Sequence, residues 1–393
     1  MFTVCWTKFE KIRSDLWLNE GFATWIQYAS IDKCFPEWSI WNYYPIEILT
    51  DAYDYDSLKA SHPIEMKKII GPNDLPNIFD DISYSKSSCV IRMLEAYMSE
   101  DVFRQGLRNY FQKFSYRNTT TKDLWESFEF NENIQNLMNT WTTSASYPLV
   151  NASVKLSDQE HTILTLKQMR YFKNAKETND DIWNIPITIV VTQTSQLKRV
   201  LLTEKTLEVD MGILDTHLDT SILINHDKIG FFRVCYSTQM FNAILEQISS
   251  LNSSCKMGLI LDMFALAWSN HLSCFDLMRF VWSLRHNEDA FVWSFLLEHV
   301  HKLVRCFVAS ASNVYGDLIE FLKKLMQPIL EKVEFEESGN DGKFEIEFVC
   351  DLRGKGWRMF NFHEIISRKM VLILFLGTNF DMFFGERKIF QKL

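Results

Sequence analysis

The sequence predicts a multidomain α+β chain in which a helical region is followed by a small β region and then by further helices. The spacing of apolar residues follows a helical period up to about residue 150, changes to a period of two between 151 and 235, and then returns to the helical period. The chain has 393 residues, of which 47% are hydrophobic, and this is enough for several domains with cores of their own.

Charge and cysteine usage exclude several classes of protein. The net charge is −9 with acids and bases interleaved, so the basic stripe of a nucleic-acid-binding protein is missing. Eight dispersed cysteines without a C-x-x-C pair argue against a zinc finger. Together with an N-terminus unlike a signal peptide, they favour a reducing, cytoplasmic location. The most apolar run, 370–376, is far shorter than the ~20 residues of a membrane helix.

The first predicted helix begins at Asp15 and carries a single acid in an apolar stretch. Leu18, Phe22 and Ile26 line one face, and tryptophans cover much of the rest. A helix that is apolar on nearly all sides is normally buried, so Glu20 is expected at an interior position. A carboxylate there needs a cation, hydrogen-bond donors or a metal. On the residues alone, an ion pair or an acid facing solvent at the helix edge is the more frequent explanation.

The run L-W-L-N-E-G-F-A-x-W, which starts at Leu16, resembles the signature of the gluzincin aminopeptidases, peptidase family M1. The resemblance implies that Glu20 is the third zinc ligand, after the two histidines of a preceding H-E-x-x-H motif. The family spacing places the second histidine at position 1, where this chain has Met1. We therefore expect one Zn²⁺ ligand of three, no general base, and no hydrolysis of peptides by this chain alone. The alternative is a non-catalytic scaffold that binds peptides or proteins.

A second segment, from Ile82 to Ser88, resembles the family element I-x-Y-x-K-G-A. In the family, its tyrosine donates a hydrogen bond to the oxyanion formed when water attacks the scissile carbonyl, which implies this catalytic role for Tyr84. Taken alone, a tyrosine at the start of a helix is usually a packed amphipathic side chain. Ser87 stands where the family has glycine, and we expect strain there if the glycine marks a positive φ or a close backbone approach.

Alternating residues predict the strands of the middle region. Ile185, Ile187, Ile189 and Val191 alternate over one segment, and the pairs Val154/Leu156 and Ile222/Ile224 repeat the pattern. Beyond residue 236 the apolar residues return to helical stripes, such as Leu259, Met263 and Leu266. Short amphipathic helices in succession are typical of an array that stacks to bury its faces.

The resemblance extends over most of the chain and implies its organisation. Residues 141–150 are similar to the end of the family's catalytic domain, with Ser146 in place of a glycine. The expected parts are a helical, partial thermolysin-like catalytic domain over 1–150 that lacks the H-E-x-x-H and G-A-M-E-N segments, a β-sandwich over 151–235, an incomplete solenoid-like helical domain over 236–340, and a divergent, poorly packed tail over 341–393. Peptides are the implied partners.

Several histidines could be mistaken for metal ligands. His363 and Glu364 begin an H-E-x-x-H pattern that lacks its second histidine. His299 and His301 would point to different sides of a helix. His62 lies in an S-H-P-I-E segment that the family shares, and the sequence leaves open whether it shapes the cleft or only packs.

Overall fold

The computed structural model describes residues 15–66, 79–173, 181–214, 221–309 and 315–330. It contains both helices and strands, which confirms the mixed α and β class. The chain divides into two compact units, Met1–Leu277 and Met278–Leu393. The domain boundaries at 150, 235 and 340 and the solenoid arrangement stay predictions, and the predicted tail lies outside the described residues.

The part of the first unit that precedes the strands is helical. The helix α1 (Leu16–Cys34) packs against α3 (Ser87–Met98) and against a π-helical turn, Ile82–Lys86, that leads directly into α3. A second π-helical turn, Pro45–Leu49, leads into α2 (Thr50–Asp56) in the same way. The α-helices described in this part are α1 (Leu16–Cys34), α2 (Thr50–Asp56), α3 (Ser87–Met98), α4 (Glu100–Phe114), α5 (Thr121–Trp125) and α6 (Ile134–Thr142).

Aromatic side chains hold α1 in place. Trp17, Phe22 and Trp25 are buried, and the Phe103 ring of α4 lies 6.4 Å from Phe22 and 5.4 Å from Trp25, measured between ring centroids. Such pairs add specific geometry to a large buried apolar area. Ile26, in contrast, is 45% exposed, so the expectation that all sides of this helix are covered was wrong.

The middle of the first unit contains two sheets. β1 (Pro148–Leu156), β2 (Thr162–Arg170), β5 (Thr206–Asp210) and β7 (Arg233–Tyr236) form one sheet in the order β5-β2-β1-β7, in which β1 and β7 are parallel. β3 (Ile185–Val191), β4 (Gln196–Leu202) and β6 (Ile222–Ile224) form the other, in the order β4-β3-β6, with both pairs antiparallel. The Tyr236 hydroxyl donates to the Ile224 carbonyl at 3.1 Å and so joins the two sheets.

Burial follows the predicted alternation in β3 but not at the end of β1. Ile185, Ile187 and Ile189 are each at most 1% exposed, as the period of two predicts. Leu156 is 58% exposed, because the last residues of β1 extend beyond the buried part of the strand. Val154 and Leu156 lie in a strand, as their alternation predicted, but the buried residues of β1 lie earlier, towards Leu149.

A buried charge cluster connects the sheet to the helices that follow it. Asp262 of α8 accepts from the Lys228 ammonium at 2.6 Å and from the Arg233 guanidinium at 3.3 Å, and all three side chains are at most 5% exposed. The Arg233 guanidinium also lies 4.2 Å from the ring of Tyr53 in α2. The helices here are α7 (Thr238–Gln247) and α8 (Ser253–Trp268).

The second unit is helical in its described residues. α9 (Cys274–Ser283) begins before the division, and α10 (Ala290–Ala309) and α11 (Tyr315–Leu330) follow it. Apolar side chains on these helices are buried, for example Phe295 and Leu296 in α10 and Leu325 in α11. Within the described ranges, no helix combines the length and the apolar character that a membrane crossing requires.

Candidate active site

Glu20 lies on the open side of α1. Its side chain is half-buried, and Ala23 and Gln27, which share its side of the helix, are exposed. The buried aromatic residues of α1 occupy the other sides, so Glu20 is not the fully interior acid that the sequence predicted. The carboxylate is therefore accessible to a ligand while the helix that carries it is fixed by its packing.

Gly21 allows α1 to approach α3 closely. A Cβ at this position would lie 2.6 Å from the Cβ of Ser87, a distance that real side chains essentially never adopt. The glycine that follows Glu20 is thus required by the contact between the two helices. Because Ser87 lies three residues after Tyr84, the same close approach brings Glu20 beside Tyr84.

Tyr84 is presented by the π-helical turn Ile82–Lys86. Within the turn, the Lys86 N–H donates to the Asp81 carbonyl at 2.8 Å, which is the i to i−5 pattern of a π-helix. The Ser87 hydroxyl donates to the Ile82 carbonyl at 2.9 Å. Ser87 itself has a helical φ of −60°, so the possible strain from a positive φ is absent. The close approach that a family glycine would mark is present, but Gly21 on the opposite helix accommodates it.

The two predicted site residues lie close together. The Tyr84 hydroxyl interacts with the Glu20 carboxylate, although 64 positions separate them in the sequence. Burial, and after it the bond to Glu20 and the negative charge of that carboxylate, raises the pKa of Tyr84. The phenol is consequently protonated at neutral pH and able to donate, and the tertiary fold places it next to the one acid that the motif singles out.

Comparisons with known proteins identify the family of the chain. The model described as Peptidase family M1 domain matches residues 11–141, and the ERAP1-like C-terminal domain matches residues 221–352. Aminopeptidase M1-D of Oryza sativa subsp. japonica is 31% identical over 342 residues, and puromycin-sensitive aminopeptidase of Caenorhabditis elegans is 34% identical over 330. The chain belongs to peptidase family M1.

The M1 relatives are considerably longer than the region they share with this chain. The two alignments cover 84% and 82% of the chain but only 38% of the rice protein and 34% of the worm protein. The alanine/arginine aminopeptidase of Saccharomyces cerevisiae is 30% identical, again over 38% of its own length. The chain therefore spans little more than a third of the length of the curated relatives that it matches.

Zinc is the metal that the M1 family implies, and the described residues do not provide a site for it on their own. A catalytic zinc takes three protein ligands and keeps one open position. Among the described residues, no group of three histidine, cysteine, aspartate or glutamate side chains is arranged to hold a metal ion. Glu20 supplies one carboxylate, and its neighbour Tyr84 is a hydrogen-bond donor, so this pair holds no zinc without further ligands.

Two charged pairs flank the turn that carries Tyr84. At its start, the His62 Nε2 lies 2.7 Å from Asp80 Oδ2. At its end, the Lys86 ammonium lies 2.9 Å from Asp56 Oδ2, with both side chains completely buried. Sequence reasoning did not foresee either pair. Lys86 was visible as the lysine of I-x-Y-x-K, whereas nothing in the sequence around Asp56 identifies it as the partner.

His299, one of the histidines that could be mistaken for metal ligands, is bound within its own helix. His299 is 8% exposed and its Nδ1 donates to the Phe295 carbonyl at 3.0 Å, so it is bound within its own helix. His363 and Glu364 lie outside the described residues.

Proposed function

We propose that this chain carries part of the active site of an aminopeptidase that removes N-terminal residues from peptides. In this proposal Glu20 is a metal ligand and Tyr84 is the oxyanion donor. The observation that carries it is that the packing of α1 on the π-helical turn brings these two residues, which come from two separate motifs, close together. The membership of peptidase family M1 supports peptide hydrolysis as the reaction class. Removal of N-terminal residues by this chain is what we propose.

Tyr84 supplies a preorganised hydrogen bond. Its phenol is held by the π-helical turn, and burial together with the Glu20 charge raises its pKa further above neutral pH. A donor aimed at developing negative charge stabilises the transition state more than the ground state. Removing one such donor typically lowers kcat by about 10²–10³.

Glu20 supplies a single carboxylate. When zinc is bound, it polarises the substrate carbonyl and lowers the pKa of a water molecule. Glu20 holds such an ion only with two further ligands, which the described residues do not contribute. We infer that the chain as printed neither retains zinc nor hydrolyses peptides. The described cysteines, Cys34, Cys89, Cys235, Cys255, Cys274 and Cys306, are all free, which supports a reducing, cytoplasmic location.

The test restores the missing ligands. We define the extended chain as a fusion of two parts. Its first part is the region of the worm puromycin-sensitive aminopeptidase that precedes the position aligned with Asp15, and its second part is this chain from Asp15 onward. Zinc per chain after dialysis and hydrolysis of an alanine p-nitroanilide are measured for both forms. We expect the extended chain to retain about one zinc ion and to hydrolyse the substrate, while the printed chain does neither.

Glu20→Ala is the decisive variant of the extended chain. The change removes one of three ligands, so zinc and hydrolysis should both be lost. Glu132→Ala is the matched control, since Glu132 also accepts a hydrogen bond from a tyrosine, Tyr97, and lies outside the site. Retention of zinc by Glu20→Ala would contradict the proposal, as would loss of zinc from the control.

A further inference from the structure

His62 is held between two acceptors. Its Nδ1 lies 2.8 Å from the Pro63 carbonyl oxygen and its Nε2 lies 2.7 Å from Asp80 Oδ2. A carbonyl oxygen and a carboxylate only accept, so both ring nitrogens must carry a proton to make both bonds. The hydrogen bond to Asp80 raises the pKa of His62 although burial opposes this. The described geometry is thus that of an imidazolium.

Asp80 connects His62 to the π-helical turn. Its Oδ1 accepts from the N–H groups of Ile82 and Ser83 at 3.0 and 3.2 Å. Its main-chain carbonyl accepts from the N–H of Tyr84 itself at 3.1 Å. Burial would raise the pKa of Asp80, but the bond to His62, the imidazolium charge and the two N–H groups lower it overall. One residue therefore binds His62 and the backbone of the catalytic candidate.

The opposite end of the turn is fixed independently of His62. The Lys86 ammonium donates to the carbonyls of Ser144 and Ser146, each at 3.1 Å, besides its pair with Asp56. A change in the charge of His62 therefore acts on the turn through its contacts at the Asp80 end. The titratable groups near His62 that bear on its charge are Asp80, Lys86, the Tyr55 hydroxyl, Asp81, and Asp56, which accepts a hydrogen bond from Ser61.

We propose that His62 is a positioning residue for Tyr84, acting through Asp80, and that the Tyr84 phenol shifts when His62 loses its proton. The neutral ring makes only one of its two bonds, because one nitrogen becomes an acceptor facing an acceptor. Rising pH thus loosens the start of the turn. The catalytic meaning of this shift rests on the proposed role of Tyr84, but the coupling itself does not.

The experiment follows Tyr84 in the printed full-length chain by NMR. Tyrosine labelled with ¹³C at its ε positions is incorporated into a deuterated chain, and Tyr84→Phe assigns the Tyr84 resonance by its disappearance. Spectra are recorded from about pH 5 to about pH 9, a range that includes the usual histidine pKa and ends below that of tyrosine. We expect the Tyr84 resonance to shift in one step, with a midpoint above the usual histidine value.

Three variants identify the group that titrates. His62→Gln and Asp80→Asn should each abolish the step while the circular dichroism spectrum stays unchanged. His161→Gln is the matched control, because it removes another histidine–aspartate pair, in which His161 Nδ1 lies 2.9 Å from Asp210 Oδ2. It should leave the step intact.

Either of two results would overturn the inference: a Tyr84 resonance that does not move with pH, or a step that persists in His62→Gln. A step that behaves as expected while Tyr84→Phe leaves hydrolysis by the extended chain unchanged would reject the proposed function and retain the coupling. The two failures are therefore distinguishable.

Discussion

At the scale of single residues, Ser146 has a left-handed backbone close to the Asp56–Lys86 pair that flanks the candidate site. It has a φ of 70° although it is not a glycine. It is buried, its N–H donates to Asp56 Oδ1 at 2.8 Å, and its carbonyl accepts from Lys86. A left-handed conformation costs a residue with a Cβ about 1–2 kcal/mol. The Asp56–Lys86 pair therefore holds Ser146 in a conformation that glycine would adopt freely.

Ser146→Gly and Ser146→Ala together measure this strain. Both changes remove the hydroxyl, which donates to the Tyr171 carbonyl at 3.1 Å, but only glycine relieves the strained φ. We expect the glycine variant to have a free energy of unfolding about 1 kcal/mol higher than the alanine variant. Urea denaturation of the two variants tests this. An alanine variant at least as stable as the glycine variant would show that the left-handed conformation stores no strain.

The sequence identified Ser146 and Ser87 as replacements of family glycines, but it could not tell which of them has a left-handed backbone. Both serines replace glycines of the family motifs, yet a motif does not state why its glycine is needed. At position 146 the backbone is left-handed, whereas at position 87 it is helical. At position 87 the close contact falls on the opposite helix, where Gly21 accommodates it. Only the tertiary structure shows that position 146 needs a left-handed backbone, whereas position 87 needs space for a close helix contact.

At the scale of secondary-structure elements, the approach of α1 to α3 determines the site. Gly21→Ala adds a methyl group 2.6 Å from the Ser87 Cβ and should push the helices apart. We expect a loss of about 1–3 kcal/mol in the free energy of unfolding, the usual cost of overpacking. The Tyr84 resonance should also shift, because the interaction between Tyr84 and Glu20 depends on the same close packing.

Gly316→Ala is the control for this change. Gly316 lies in α11, and a Cβ there would meet nothing within 4 Å. The same substitution should be neutral or slightly stabilising, since alanine is the better helix former. A Gly21→Ala variant as stable as Gly316→Ala would mean that the two helices separate without cost, and the close approach would then have no role in the site.

The elements themselves were predictable where periodicity alone decides. The alternation in β3 predicted its buried residues correctly, because both neighbouring strands fix its register. The pattern was misleading at Leu156 and Ile26, which are apolar but exposed. Periodicity states which residues share a face, and it does not state how far along an element the core extends.

At the scale of the whole molecule, the motifs predicted which residues belong to the candidate site, but they did not predict which residues those would contact. Two motifs identified Glu20 and Tyr84, and the fold brings them together through the packing of α1 on the π-helical turn. The surrounding pairs His62–Asp80 and Asp56–Lys86 join residues from separate segments, so no local pattern shows them. A resemblance therefore finds the candidate site residues more readily than the residues that lie around them.

The most direct test of the central claim is kcat for Tyr84→Phe in the extended chain. Removing the phenol oxygen should lower kcat by about 10²–10³, with zinc content and KM little changed because the donor acts in the transition state. Tyr97→Phe is the control, since Tyr97 also donates to a glutamate, Glu132, away from the site. A Tyr84→Phe variant with the kcat of Tyr97→Phe would contradict the assignment of Tyr84 as the oxyanion donor.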